Sequence, residues 1–320
     1  MSTVRLRQDV QAVCWLSLAV MFCAAIVGCS WLRTAVNRHQ AEADRLVEQA
    51  RDAQAKGDAE LAVSLLSKAA DVNPDDAEIP NQLADVLLAQ GRKDDAVAPL
   101  RNALEKTPND ATGHARLARL LFDLERFGEA EQSIDVALEL DPKLTNALLL
   151  KSQLAERNHN DQQALEVCHR VLAAEPENAE AQLRIAGIHL RSSQPDRAAP
   201  LLRAICQSTQ ATAAQKADAY WSLGISYGQQ RRWADAASAL AAACKNREKV
   251  SADEWYRLAY AYFLADDDER ASAALSRAFA LEPAHAASLA MAEALHATSF
   301  RQPIVPVEYA PPQIPRPAGW

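Results

Sequence analysis

The chain has 320 residues, with 34 Lys+Arg against 42 Asp+Glu and a formal net charge of −8. That acidic balance argues against nucleic acid as a partner, because its binders carry a basic surplus. Nine glycines and an apolar fraction rich in Ala and Leu point to helices. Six cysteines without a C-x-x-C pair exclude a disulfide scaffold and the common zinc spacings.

The first distinct segment is the run 12–32, AVCWLSLAVMFCAAIVGCSWL, which has no charge and is flanked by Arg5 and Arg7 before it and Arg33 and Arg38 after it. A helix of about 20 apolar residues spans a bilayer. The same run also fits the apolar part of a signal peptide. Within it, Ile26-Val27-Gly28-Cys29 resembles the lipobox of bacterial lipoproteins. That resemblance implies a lipid on Cys29 and removal of residues 1–28. The rival reading is an uncleaved anchor in which Cys29 is a small apolar side chain, and the continuation through Trp31 and Leu32 favours it. A buried core helix is the third reading. The first two place the body at a membrane, exported and facing the periplasm or cell exterior. The expected organisation is a signal peptide or anchor at 1–32 and a linker at 33–42. A repeat region follows at 43–298, and a proline-rich tail at 299–320.

In the repeat region Pro74, Pro108, Pro142 and Pro176 recur every 34 residues. With proline as position 32, position 20 is Ala62, Ala96, Ala130 and Ala164, and position 8 is Ala50, Ala84, Ala118 and Ser152. Small residues at fixed offsets mark places where helices approach closely. Apolar residues in the third unit fall at helical spacing, Leu117, Leu120, Leu121 and Leu124, then Ile134, Leu138 and Leu140. Proline stops each second helix because it has no N–H and clashes with the preceding turn. Asp75, Asn109 and Asn178 are placed to cap the next one. Units beginning at Ala217 and Ala252 continue the phase after insertions of four residues and one residue. They carry Tyr220, Leu223, Gly224 and Tyr227, and then Trp255, Leu258, Ala259 and Tyr262.

This period and these offsets resemble the tetratricopeptide repeat. The resemblance implies an all-α fold: a right-handed solenoid of about seven helix pairs, with 284–297 as a capping helix. It also implies that positions 2, 5, 9, 12 and 13 of each first helix line a groove. Those positions hold Trp221, Ile225, Tyr256, Tyr260 and Phe263 in the last two units, where ten of the 18 aromatics cluster between Tyr220 and Phe279. In earlier units they are polar and include Asn81, Arg119, Asn146 and Arg157. Aromatics are enriched at binding hot spots; packing against the final helix or the tail is the competing reading. Tyr220, Tyr227, Trp255 and Tyr262 are expected to pack between helices. The family's carboxylate clamp is not carried over, because its positions read Val47, Arg51, Gln82, Thr112 and Arg116.

Catalytic, phosphate-binding and metal-ligand motifs are missing from the sequence, and the carboxylates fit solvated helix faces. Cys168, Cys206 and Cys244 read as small buried side chains. After Ser299, prolines at 303, 306, 311, 312, 315 and 317 give an extended tail, either free or docked in the groove. The expected function is a non-enzymatic membrane-tethered scaffold that binds a protein or peptide ligand in its groove. The alternative is an accessory subunit of a cell-envelope assembly, secretion or enzyme complex. No cofactor, metal, nucleic acid or small-molecule substrate is expected.

Overall fold

A computed structural model describes residues 38–299, so the run 12–32 with Cys29 and the tail 300–320 lie outside the described residues. Fifteen helices and no strand occur among the described residues. They form seven pairs and a final single helix. The chain divides into two compact units, Met1–Pro142 and Lys143–Trp320.

The first unit holds α1 (38–55) with α2 (Ala59–Val72), α3 (Glu78–Ala89) with α4 (Lys93–Lys106), and α5 (Ala111–Asp123) with α6 (Phe127–Leu140). Residues 38–42, expected in a linker, are helical here. The second unit holds α7 (Thr145–Arg157) with α8 (Asp161–Ala174), α9 (Ala179–Arg191) with α10 (Pro195–Gln207), and α11 (Ala213–Gln229) with α12 (Trp233–Asn246). It ends with α13 (Ala252–Leu264), α14 (Asp268–Leu281) and α15 (Ala286–Ser299).

The turn inside every pair is identical in kind. Gly57, Gly91, Glu125, His159, Ser193, Arg231 and Asp266 all take positive φ, between 54° and 81°. Each is position 15 of its unit, so the phase survives both insertions. Only the first two are glycine, the residue to which this left-handed conformation costs nothing. The four-residue insertion becomes an extra turn at the start of α11, closed by a capping box in which Thr212 and Gln215 exchange hydrogen bonds. The same box opens α13 through Ser251 and Glu254.

Prolines 74, 108, 142, 176 and 283 each sit two residues beyond the end of a second helix. The residue before proline is pushed out of the helical region, and Asp141 accordingly has φ −135° and ψ 95°. Where Gln210 replaces the proline, Ser208 ends α10, its Oγ accepting from the Gln210 and Ala211 amides at 3.1 and 3.3 Å. The capping residues are shifted by one from two expectations. Asp110 rather than Asn109 caps α5, and Asp76 rather than Asp75 accepts from Glu78 N at 2.8 Å. Asn178 caps α9 as expected.

The small positions form the seams of the stack. Ala50, Ala84, Ala118, Ser152, Ala62, Ala96, Ala130 and Ala164 are all buried. Leu140, expected in the core, is 40% exposed, because the second helix ends there. In the sixth pair the seam is tighter still. A Cβ on Gly224 would lie 2.6 Å from Leu240 Cγ and 3.3 Å from the Ala236 carbonyl oxygen. Gly224→Ala therefore overpacks α11 against α12 and should cost about 1–3 kcal/mol. That outweighs the helix-propensity gain of about 1 kcal/mol. Urea denaturation monitored by helicity measures it.

Candidate binding face

The first helices of the second unit, α7, α9, α11 and α13, form a face tied together across pairs by polar side chains. Gln153 on α7 donates to Glu180 on α9 at 3.2 Å. Arg184 on α9 reaches Glu156 at 3.1 Å and Glu180 at 2.9 Å. Arg191 joins Glu156 at 3.0 Å and Asp161 at 2.9 Å. Gln229 on α11 donates to the Leu190 carbonyl on α9 at 3.3 Å. The Glu156 and Arg184 side chains are each less than a fifth exposed, so this one pair is shielded from solvent more than surface pairs are, while Arg191, Glu180 and Asp161 stay exposed. Arg184 Nε is buried with no hydrogen-bond partner among the described residues.

Beyond this network the face turns aromatic. Trp221 on α11 is half-buried. Two guanidinium groups flank its ring, Arg247 at 5.2 Å and Arg257 at 6.0 Å from the centroid, within cation–π range. Both arginines are fixed by carboxylates: Arg247 by Asp218 at 2.7 Å and by Glu254, and Arg257 by Asp253 at 2.9 Å. Ile225 and Phe263 are half-buried as well.

Tyr256 and Tyr260, expected in the groove, lie instead in the core at 2% and 7% exposure. They pack in one apolar cluster with Leu258, Leu275, Met291 and Leu295. The cause is α15, which lies against α13 and α14 and occupies the place of a following first helix. The His285 ring at its start lies 5.7 Å from the Tyr256 ring. Burial pushes the Tyr256 phenol up to about 12. Trp255 and Tyr262, expected between helices, pack against the same cluster and are half-buried.

The polar candidates divide between the units. Asn81 on α3 is half-buried and Arg119 on α5 is exposed, paired with Asp123 at 3.4 Å. Asn146 and Arg157 are exposed at opposite ends of α7. Asn146 lines an open cleft of about 760 Å³ with Leu149, Glu175, Asn178, Glu180 and Gln215. There the Thr145 hydroxyl, and then the Asn178 amide, hold the Glu175 carboxyl below its ordinary range. The sequence reading missed Arg184 and Arg257, each one residue past a groove position, and Arg247, just beyond the end of α12; Arg184 meets Glu156 and Arg257 meets Trp221 across neighbouring pairs, contacts that spacing within one unit does not reveal.

The three cysteines among the described residues are free, and burial raises each thiol, Cys206 to about 11. Burial thus disfavours the thiolate, the nucleophilic form, at each of them. No group of three or more His, Cys, Asp or Glu able to hold a metal ion occurs among the described residues.

Paired helices stacked in register, each with a left-handed residue at its turn and alanine seams, define a helical-repeat protein. Two tetratricopeptide repeat families match the sequence, one at residues 47–111, 81–145 and 222–278 and the other at 158–221. The chain belongs to the tetratricopeptide repeat family. No curated protein matches it significantly. Among solved structures it is similar to a tetratricopeptide repeat protein from Parabacteroides merdae, with a TM-score of 0.59 at 17% identity over 76% of this chain and 94% of that one. PilF of Pseudomonas aeruginosa gives a TM-score of 0.58 at 17% identity, over 68% and 96%. PilW, a type IV pilus biogenesis factor, gives 0.57 at 18% identity, over 68% and 98%. These likenesses are of fold.

Proposed function

We propose that the protein is a non-enzymatic scaffold that holds an extended polypeptide on the first-helix face of its second unit. Trp221 carries this reading: a half-buried indole set between two fixed guanidinium groups, with Ile225 one turn further along α11. Its flanking arginines are already oriented by Asp218, Glu254 and Asp253, so little ordering entropy is lost on binding. The Glu156–Arg184–Glu180 network, Asn146 and Arg157 supply hydrogen-bonding groups along the same face. Panning a displayed random-peptide library against the full chain in detergent tests this. Enrichment of a common motif supports it, and the absence of any enriched sequence contradicts it.

The segment 12–32 serves as the membrane tether in this reading, through an uncleaved helix or through lipid on Cys29. Among the described residues no helix is long and apolar enough to cross a membrane, so the tether rests on the sequence of that segment. Mass spectrometry of the purified N-terminus is expected to show either diacylglycerol on Cys29 with residues 1–28 removed, or an intact start near Met1 in a protein that stays with the membrane fraction. An intact chain released by a high-salt wash would contradict tethering in both forms.

A further inference from the structure

On the second-helix side of the second unit, α12, α13 and α14 enclose a cleft of about 310 Å³. Its floor is small and apolar, with Ala241 and Ala274, and its walls are two half-buried aromatics, Trp255 and Tyr262. Arg277 stacks 4.6 Å over the Trp255 ring and Arg270 lies 5.6 Å over the Tyr262 ring. Lys245 completes the lining. Every charged side chain lining this cleft is cationic, in a chain whose formal net charge is −8.

The first unit provides an internal control. A cleft of about 500 Å³ lies between α4, α5 and α6, at the same repeat positions. There Glu129 pairs with both Arg101 and Arg126, and Glu105 adds a second carboxylate to the lining. The repeat positions of Glu105, Glu129 and Val136 are occupied in the C-terminal cleft by Lys245, Arg270 and Arg277. His114 is likewise replaced by Trp255. The first cleft neutralises itself; in the second, among the described residues, the carboxylate paired with a lining cation is Asp267, at 3.2 Å from Arg270. A guanidinium held over an aromatic ring still has N–H groups that match a carboxylate.

We propose that this cleft is a second docking site, distinct from the first-helix face, for an acidic linear peptide carrying an apolar or aromatic side chain. Its carboxylates meet Lys245, Arg277 and the outer edge of Arg270, and its apolar side chain enters between Trp255 and Tyr262. Charge complementarity selects this occupant. The chain's own tail, which carries Arg301 and Arg316 against Glu308, matches it less well.

The test uses the full chain in detergent and a fluorescent peptide of alternating Glu and Phe, beside its Gln-for-Glu counterpart. Fluorescence anisotropy should show the acidic peptide binding at least about tenfold more tightly than the neutral one, a difference of about 1.4 kcal/mol, with affinity falling as salt is raised. The double variant Lys245→Gln, Arg277→Gln removes two exposed cations and should weaken binding by about tenfold or more, while circular dichroism confirms unchanged helicity. Trp221→Ala should leave this peptide's affinity as it was. Equal affinity for the two peptides, or an unaltered double variant, overturns the proposal. Loss of binding in Trp221→Ala overturns it too, by moving the peptide to the first-helix face. Deletion of 300–320 should not change the affinity; a gain would make the tail the native occupant and overturn the assignment. A protein that self-associates through these cations, so that the double variant changes its sedimentation, also overturns it.

Discussion

Tyr256→Ala is expected to lower stability by about 3–5 kcal/mol, the range for removing a large buried aromatic. Tyr256 is 2% exposed and sits where α13, α14 and α15 meet. Its loss leaves a cavity beside Met291 and Leu295 and detaches the helix that closes the stack. In stacked repeats each unit depends on its neighbours, so the damage should be local before it is global. Hydrogen exchange should accelerate first in α13, α14 and α15, while the first unit keeps its protection. Trp255→Ala, one residue earlier, removes a half-buried ring from the edge of an open cleft and should cost only about 1–2 kcal/mol. Truncation at Pro283 removes α15 and should reproduce the Tyr256→Ala pattern, because it bares Tyr256 and Tyr260. Equal loss of stability in Trp255→Ala and Tyr256→Ala would contradict this packing.

The second large effect is on binding. Trp221→Ala should weaken capture of peptides selected on the full chain by about 2 kcal/mol or more, the scale of a hot-spot aromatic. Thermal stability should change much less than in Tyr256→Ala, because the indole is partly exposed and its arginine neighbours keep their carboxylates. Arg257→Gln separates the two contributions. It keeps the side-chain stem over the ring but removes the charge, so it should reduce affinity by less than Trp221→Ala does. Titration of one selected peptide against the three proteins reads both. Full affinity in Trp221→Ala would remove this residue from the binding face.

The repeat itself was legible because its causes are local and periodic. Prolines every 34 residues end second helices by steric exclusion, and alanines at two fixed positions form the seams. A further signal lay unused at position 15. Gly57 and Gly91 are 34 residues apart and mark the left-handed turn, but the other five units place ordinary residues there, so composition alone hides it. Site residues were less legible, for a physical reason. Position within a repeat says which face a side chain occupies, not what covers that face. Tyr256 and Tyr260 hold groove positions, yet they lie next to the end of the stack, where α15 covers them. Trp255 holds a packing position, yet its neighbours Ala241 and Ala274 are too small to bury it. Arg257 reaches Trp221 from the following pair and Lys245 reaches the Trp255 cleft from the preceding one, and these residues become neighbours only once the helices stack.

The first-helix face of the second unit is the proposed place where polypeptide is held. Hydroxyl-radical footprinting of the full chain with and without a selected peptide tests it most directly, since tryptophan oxidation reports exposure at single side chains. Bound peptide should shield Trp221 and leave Trp255 oxidising at its free rate. Shielding of Trp255 with Trp221 unchanged would contradict it.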